Sequence, residues 1–195
     1  MKKVIALIIL VTCLLAFSGC GIAGTILSAG ISAVSSTVSP DYEGEPETFY
    51  CAELSITLTD RFWQDYDVNP GYGVFTSLAG TTVAVEKNQF MYSAYSEGLS
   101  VGEYAATFRG LLESGEAGFE GVSSIGDVTE RDGLVCLGFE VGDVLVTKYI
   151  AAFYVGAESL WICYFSQSGS NYDKYEPHFL KWAASVKINN TNAEV

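Results

Sequence analysis

The chain has 195 residues, 49% of them hydrophobic and 13% aromatic, with 23 acids against 10 Lys and Arg and a formal charge of −13. This composition rules out a disordered chain and leaves room for one domain with a real core. An acidic surface repels phosphate backbones, so nucleic acid is not an expected partner, and a charge-driven grip on anionic lipid heads is disfavoured for the same reason.

The chain opens with a short positive stretch, Met1 to Lys3, followed by an uncharged apolar run, Val4 to Phe17, of the length of a signal-peptide core. Ser18-Gly19-Cys20 follows at once. Small residues before a cysteine let the chain lie extended in a peptidase groove, and the thiol can take a diacylglyceryl group. The run Leu15-Ala16-Phe17-Ser18-Gly19-Cys20 resembles the lipobox of bacterial lipoproteins. Ser18, Gly19 and Cys20 match it, and Phe17 stands where Leu is usual. The resemblance implies a signal peptide over 1–19, lipidation of Cys20, and a body held on the extracytoplasmic side of the cell membrane. Residues 20–48 then form a lipidated tether and linker. The other reading is an uncut transmembrane anchor, because the uncharged stretch continues to Pro40 and about 20 apolar residues span a bilayer. Removing Lys2 and Lys3 with the leader takes the charge to −15, which suits a soluble exported surface.

Ser39 to Thr48 is polar, acidic and interrupted by Pro40, Gly44 and Pro46, and reads as linker. Tyr50, Ala52, Leu54, Ile56 and Leu58 then alternate with Cys51, Glu53, Ser55, Thr57 and Thr59, predicting one β-strand with an apolar face. This puts Cys51 on the polar face as a candidate reactive thiol. Asp60 to Gly73 reads as an irregular loop, and Val74 to Ser77 and Thr81 to Glu86 as two short strands. Ser100-Val101-Gly102-Glu103 is a capping-box pattern. Val101, Tyr104, Ala105, Phe108, Leu111 and Leu112 continue it at helical spacing to a stop at Gly115.

Phe119 to Ile125 reads as a strand. Asp132-Gly133 is a turn signal before the alternating strand Val135 to Val141, and Gly142-Asp143 suggests a two-residue hairpin loop. The next strands, Val144 to Val155 and Leu160 to Phe165, are apolar on both faces, as in a sheet covered on both sides. Tyr175, Phe179, Trp182, Ala183 and Val186 share a helical face, and Pro177 suits the first turn of a helix starting near Lys174. Residues 189–195 form a polar tail. The expected class is α+β, a largely antiparallel sheet covered by helices.

The opening Leu54-Ser55-Ile56-Thr57-Leu58, the Phe62 and Trp63 segment, Val83-Ala84-Val85-Glu86-Lys87, the Glu103-Tyr104-Ala105 helix and the closing Phe179-Leu180-Lys181-Trp182-Ala183-Ala184-Ser185-Val186 together resemble the Mog/PsbP-like domain found in many small bacterial lipoproteins. The resemblance covers roughly residues 49–188 at the boundary precision of such a reading. It implies an α/β/α sandwich. It also implies a binding scaffold and not an enzyme, since members include photosystem assembly factors and a Ran-binding import protein. No binding motif of that family transfers residue by residue.

The residues offer little chemistry of their own. Asp60, Asp65 and Asp67 lack the spacing, the glycine and the closing glutamate of an EF-hand, so solvated acids are expected over a calcium site. His178 is the only histidine and has no nucleophile beside it in sequence. Cys136 and Cys163 could meet across adjacent strands, although buried free thiols are the simpler expectation. No CxxC or Cys/His spacing supports zinc. No cofactor, catalytic residue or metal ligand is assigned. The candidate binding patch is Phe62, Trp63, Asp65, Tyr66 and Tyr72, which Tyr92 and Tyr95 could extend; a core plug is the competing role. The expected function is a membrane-anchored, non-enzymatic binding or accessory module with a protein partner at the cell envelope. The alternatives are a small-ligand-binding lipoprotein with a pocket and a carboxylate-based hydrolase.

Overall fold

The computed structural model describes residues 39–69, 71–88, 100–156 and 159–189, without the side chains of residues 66–69. Cys20, Tyr92 and Tyr95 therefore lie outside the described residues. A 3-10 turn, Asp41–Glu43, leads into strands β1 (Pro46–Cys51), β2 (Leu54–Thr59), β3 (Phe62–Asn69), β4 (Tyr72–Ser77) and β5 (Thr82–Lys87). Helix α1 (Val101–Ser114) follows, then β6 (Val122–Arg131), β7 (Leu134–Val141), β8 (Thr147–Val155) and β9 (Leu160–Ser168). Helix α2 (Tyr172–Ala184) and the short β10 (Lys187–Ile188) end the order. The strands form a three-stranded sheet, β1-β2-β10, and a seven-stranded sheet, β3-β4-β5-β9-β8-β7-β6. All pairs are antiparallel, so the α+β class with a largely antiparallel sheet and two helices holds.

The first expected strand is two strands. Ala52 takes a left-handed φ of 48°, and Cys51 pairs directly with Leu54 across a two-residue turn. Directly opposed residues share a face. Cys51 therefore joins Leu54 in the core at 1% exposure, while Tyr50 is 64% exposed. The apolar alternation running unbroken through Tyr50 and Ala52 had concealed this reversal, and Cys51 is not on the polar face. The expected linker is also ordered in part, because Pro46 to Thr48 pair with Thr57 to Thr59.

The expected loop from Asp60 to Gly73 is largely strand β3 and the start of β4. Its acids and Asn have low strand propensity, which hid it. β3 is an edge strand, where charged residues are favoured because they discourage pairing with another chain. The hairpin expected at Gly142-Asp143 is instead a five-residue loop before Thr147. Gly142 has φ 98°, and a Cβ there would stand 2.6 Å from the Leu145 carbonyl oxygen, so a side chain is excluded. This loop leaves Val144 and Leu145 in solvent and not on the expected strand faces. β6 begins later than expected. Phe119 precedes it and packs its ring 4.9 Å from that of Phe139. Helix α2 starts at Tyr172, so Pro177 sits in its second turn and not its first.

The two-faced reading of the central strands holds. Trp161, Cys163, Phe165, Ile150 and Ala152 pack with Leu54, Ile56 and Leu58 of β2 and Phe179 and Trp182 of α2. Leu160, Ile162, Tyr164, Ala151 and Phe153 pack with Tyr104, Ala105, Phe108 and Leu112 of α1. Each face of the large sheet thus carries its own core. Helix α1 packs on β6, β7 and β8. Among the described residues, no helix is long and apolar enough to cross a membrane.

Candidate functional site

Strands β3, β4 and β5 occupy one side of the large sheet, and their registers set the side chains in rows. Trp63, Thr76, Thr82 and Ser166 lie side by side, and the next row is Asp65, Val74, Ala84 and Tyr164. Tyr72, Glu86 and Ile162 form the third. These rows share the face on which α1 packs over the other strands. Trp63 is 44% exposed. Asp65 is exposed and accepts a hydrogen bond from Thr76 Oγ1 at 3.3 Å. Tyr72 is half-buried, and burial together with the charge of Glu86 raises its hydroxyl pKa.

The expected patch is only partly assembled. Phe62 alternates to the other face, is 4% exposed, and meets Trp182 edge-on at 5.2 Å, so it belongs to the core. Trp63, Asp65 and Tyr72 lie on the face that α1 shares. Tyr66 lies in β3, but its side chain is outside the described residues.

Glu86 was not singled out in the sequence, yet it is the half-buried carboxylate of this face. Tyr164 donates its hydroxyl to Glu86 Oε2 at 3.2 Å. Burial raises the Glu86 pKa, and the Tyr164 hydrogen bond opposes that only in part. The Tyr104 hydroxyl is buried without a hydrogen-bond partner, and burial with the nearby Glu86 drives its pKa far above the ordinary tyrosine range. A tyrosine so shifted stays protonated at neutral pH and cannot serve as a base. The pattern Thr82-Ala84-Glu86, small or polar on one side of β5, is the signal that could have marked this face.

Of the other candidates, Asp60 lies in the β2–β3 turn, just before β3, and accepts from the Glu45 amide at 3.0 Å. Asp65 is on β3, and the side chain of Asp67 is not described. Among the described residues, no group of three or more His, Cys, Asp and Glu side chains is placed to hold a metal. His178 stacks on Tyr42 with ring centroids 4.1 Å apart. Burial lowers its pKa, Lys181 adds to this, and Asp41 opposes it. Cys136 and Cys163 both stand opposite Ala152 and are separated by strand β8. They are buried free thiols and not cross-strand neighbours.

Asp41, expected in a linker, is 1% exposed. Ser77 Oγ donates to its Oδ2 at 2.6 Å, and Thr59 Oγ1 donates to its carbonyl oxygen at 2.6 Å. Its Oδ1 has no hydrogen bond. These contacts hold the 3-10 turn against the ends of β2 and β4.

No protein-family description matches the chain, and no curated protein matches it. Solved structures do. The solution structure of cyanobacterial PsbP (CyanoP) from Synechocystis sp. PCC 6803 superposes with a TM-score of 0.51 at 14% identity, covering 89% of this chain and 99% of that one. This supports a PsbP-like fold. A Bacteroides thetaiotaomicron VPI-5482 structure gives a TM-score of 0.43 at 11% identity over 78% of this chain and 51% of its own. A Pseudomonas aeruginosa protein of unknown function, a putative regulator, gives 0.36 at 11% identity over 71% and 93%.

Proposed function

We propose that the chain is a lipid-anchored, extracytoplasmic module of the cell membrane that acts by binding a partner at the cell envelope and not by catalysis. In this reading its layers form the α/β/α sandwich of the Mog/PsbP type, and Cys20 carries the lipid. The observation that carries it is the β3–β5 face, where Trp63, Asp65, Tyr72 and Glu86 stand beside the part of the sheet that α1 covers. Exposed aromatic side chains offer large, rigid contact area, which suits a binding surface.

Asp65 and Glu86 lie two strands apart and two residues along, about 12 Å between their backbones by strand spacing and rise, and each accepts from a hydroxyl of this face, Asp65 from Thr76 and Glu86 from Tyr164. A carboxylate-based hydrolase finds no specific support in this arrangement. The small-ligand reading rests on one observation, the unpartnered buried Tyr104 hydroxyl beside Glu86.

Two measurements test the proposal. Cys20→Ser should move the protein from the membrane fraction to the soluble fraction or leave an uncleaved precursor. Unchanged size and unchanged detergent partitioning would sink the anchor. A photo-crosslinking amino acid at position 65, exposed on the second row of this face, should give discrete adducts in the cell envelope that the same group at Asn171, beyond β9, does not. Identical adduct patterns at the two positions would remove the β3–β5 face from the proposal.

A further inference from the structure

The large sheet has two unlike ends. At one lie the start of β3, the β4–β5 turn, the β7–β8 loop and the end of β9, as the pairs Phe62↔Ser77, Thr76↔Thr82, Thr82↔Ser166 and Thr147↔Ser168 require. The chain joins the domain at this same end, because Asp41 is held by Ser77, the last residue of β4.

Six large hydrophobic side chains are exposed among the described residues, and four of them cluster at this end: Trp63 at 44%, Leu78 at 70%, Val144 at 93% and Leu145 at 58%. Tyr50 and Val155, the other two, lie toward the opposite end, where β1 turns into β2 and β8 reaches Leu160. The β4–β5 turn and the β7–β8 loop stand about three strand spacings apart, roughly 14 Å, so both tips can meet one flat surface. Neither tip is needed by either core, and an apolar tip left in water is costly unless something covers it.

We infer that this end of the sheet rests on the lipid bilayer, with Trp63, Leu78, Val144 and Leu145 in the boundary between headgroups and acyl chains. The inference rests on the anchor proposed at Cys20. Eighteen residues separate Cys20 from Ser39, so an anchored domain stays within about 60 Å of the bilayer even with that stretch fully extended. Such a leash raises the effective concentration of the surface, and weak apolar contacts then suffice. Tryptophan and aliphatic tips are the residue types that settle at this boundary. Asp41 is buried, and the other acids near this end, Glu43, Glu45, Asp60, Glu120 and Asp143, are exposed to water. The contact is therefore apolar and directed at zwitterionic lipid, not at anionic heads.

Fluorescence in phosphatidylcholine vesicles with brominated acyl chains tests the inference on the full-length lipidated protein. Trp161 and Trp182 are buried at 0% and 4% exposure, so they serve as an internal reference. The Trp63 contribution, obtained by difference from Trp63→Phe, should be quenched. In the Trp63→Phe background, Leu145→Trp should be quenched at least twofold more than Tyr50→Trp. Both replaced side chains are already exposed, so neither core is altered. Equal quenching at the two positions, stronger quenching at position 50, or none at either would overturn the inference. Mass spectrometry of the same preparation separates the two proposals. A missing lipid mass overturns the anchor alone, and the quenching ratio at saturating vesicles still decides which end meets the bilayer.

Discussion

Among the described residues Asp41 has no Lys or Arg ion pair, and hydroxyl groups hold it instead. Burial raises its carboxyl pKa above 3.8, and the hydrogen bond from Ser77 with the nearby Thr81 and Tyr175 hydroxyls offsets this only in part. A carboxyl whose folded pKa is raised favours folding below its unfolded pKa, and this contribution is lost as pH rises through the folded value. Asp41→Asn keeps the shape without the charge. It should stabilise the protein at neutral pH, and the difference should shrink to nothing as pH falls through 3.8 and below; urea denaturation across that range measures it. A variant less stable than the parent at neutral pH would mean that the charged form is the one the hydroxyls favour. The thiols are governed by the same burial. It pushes Cys136 up to about 11 and Cys163 still higher. A thiolate reagent at neutral pH should leave both unmodified in the native domain and label them once urea unfolds it.

At the scale of single elements, local chemistry decides. The capping box of α1 is complete: the Ser100 side chain accepts from the Glu103 amide at 3.2 Å, and the Ser100 amide donates to Glu103 Oε2 at 2.9 Å. Ser100→Ala should cost about 1 kcal/mol in a denaturant titration. The Ser100 hydrogen bonds lower the Glu103 pKa, so this part of the cap should weaken as pH falls below 4.5 toward the folded value. Asp132 and Gly133 take φ of 53° and 79°, the geometry of a two-residue hairpin turn. Gly133→Ala places a side chain in the left-handed region and should cost about 1–2 kcal/mol, read from the shift in denaturation midpoint. Both devices were legible because each depends on residues adjacent in sequence. β3 was not, since an edge strand tolerates acids that local propensity scores as loop.

At the scale of the whole molecule, the domain begins earlier than residue 49. Tyr42 meets Tyr175 edge-on at 5.1 Å and stacks on His178, and the first half of β1 pairs with β2. A chain beginning at Phe49 should therefore denature at lower urea than one beginning at Ser39. Equal midpoints would show that the 3-10 turn and the first half of β1 add nothing to stability. The two-sided core was readable from β8 and β9, because a strand apolar at every position must be covered on both faces. Which surface side chains would gather was not readable. Trp63, Leu78, Val144 and Leu145 are distant in sequence, and only the strand order brings them to one end.

The sequence by itself determined the class, the two caps of α1, a turn at Asp132-Gly133 and the double-faced centre of the sheet, because these follow from residue type and short spacing. The tertiary structure decided the rest. It split the first strand at Ala52, buried Cys51 and Asp41, turned Phe62 inward, and set Glu86 among tyrosines. Each of these depends on which distant strand lies alongside, and a period of two cannot record a turn that preserves the apolar pattern while reversing the chain.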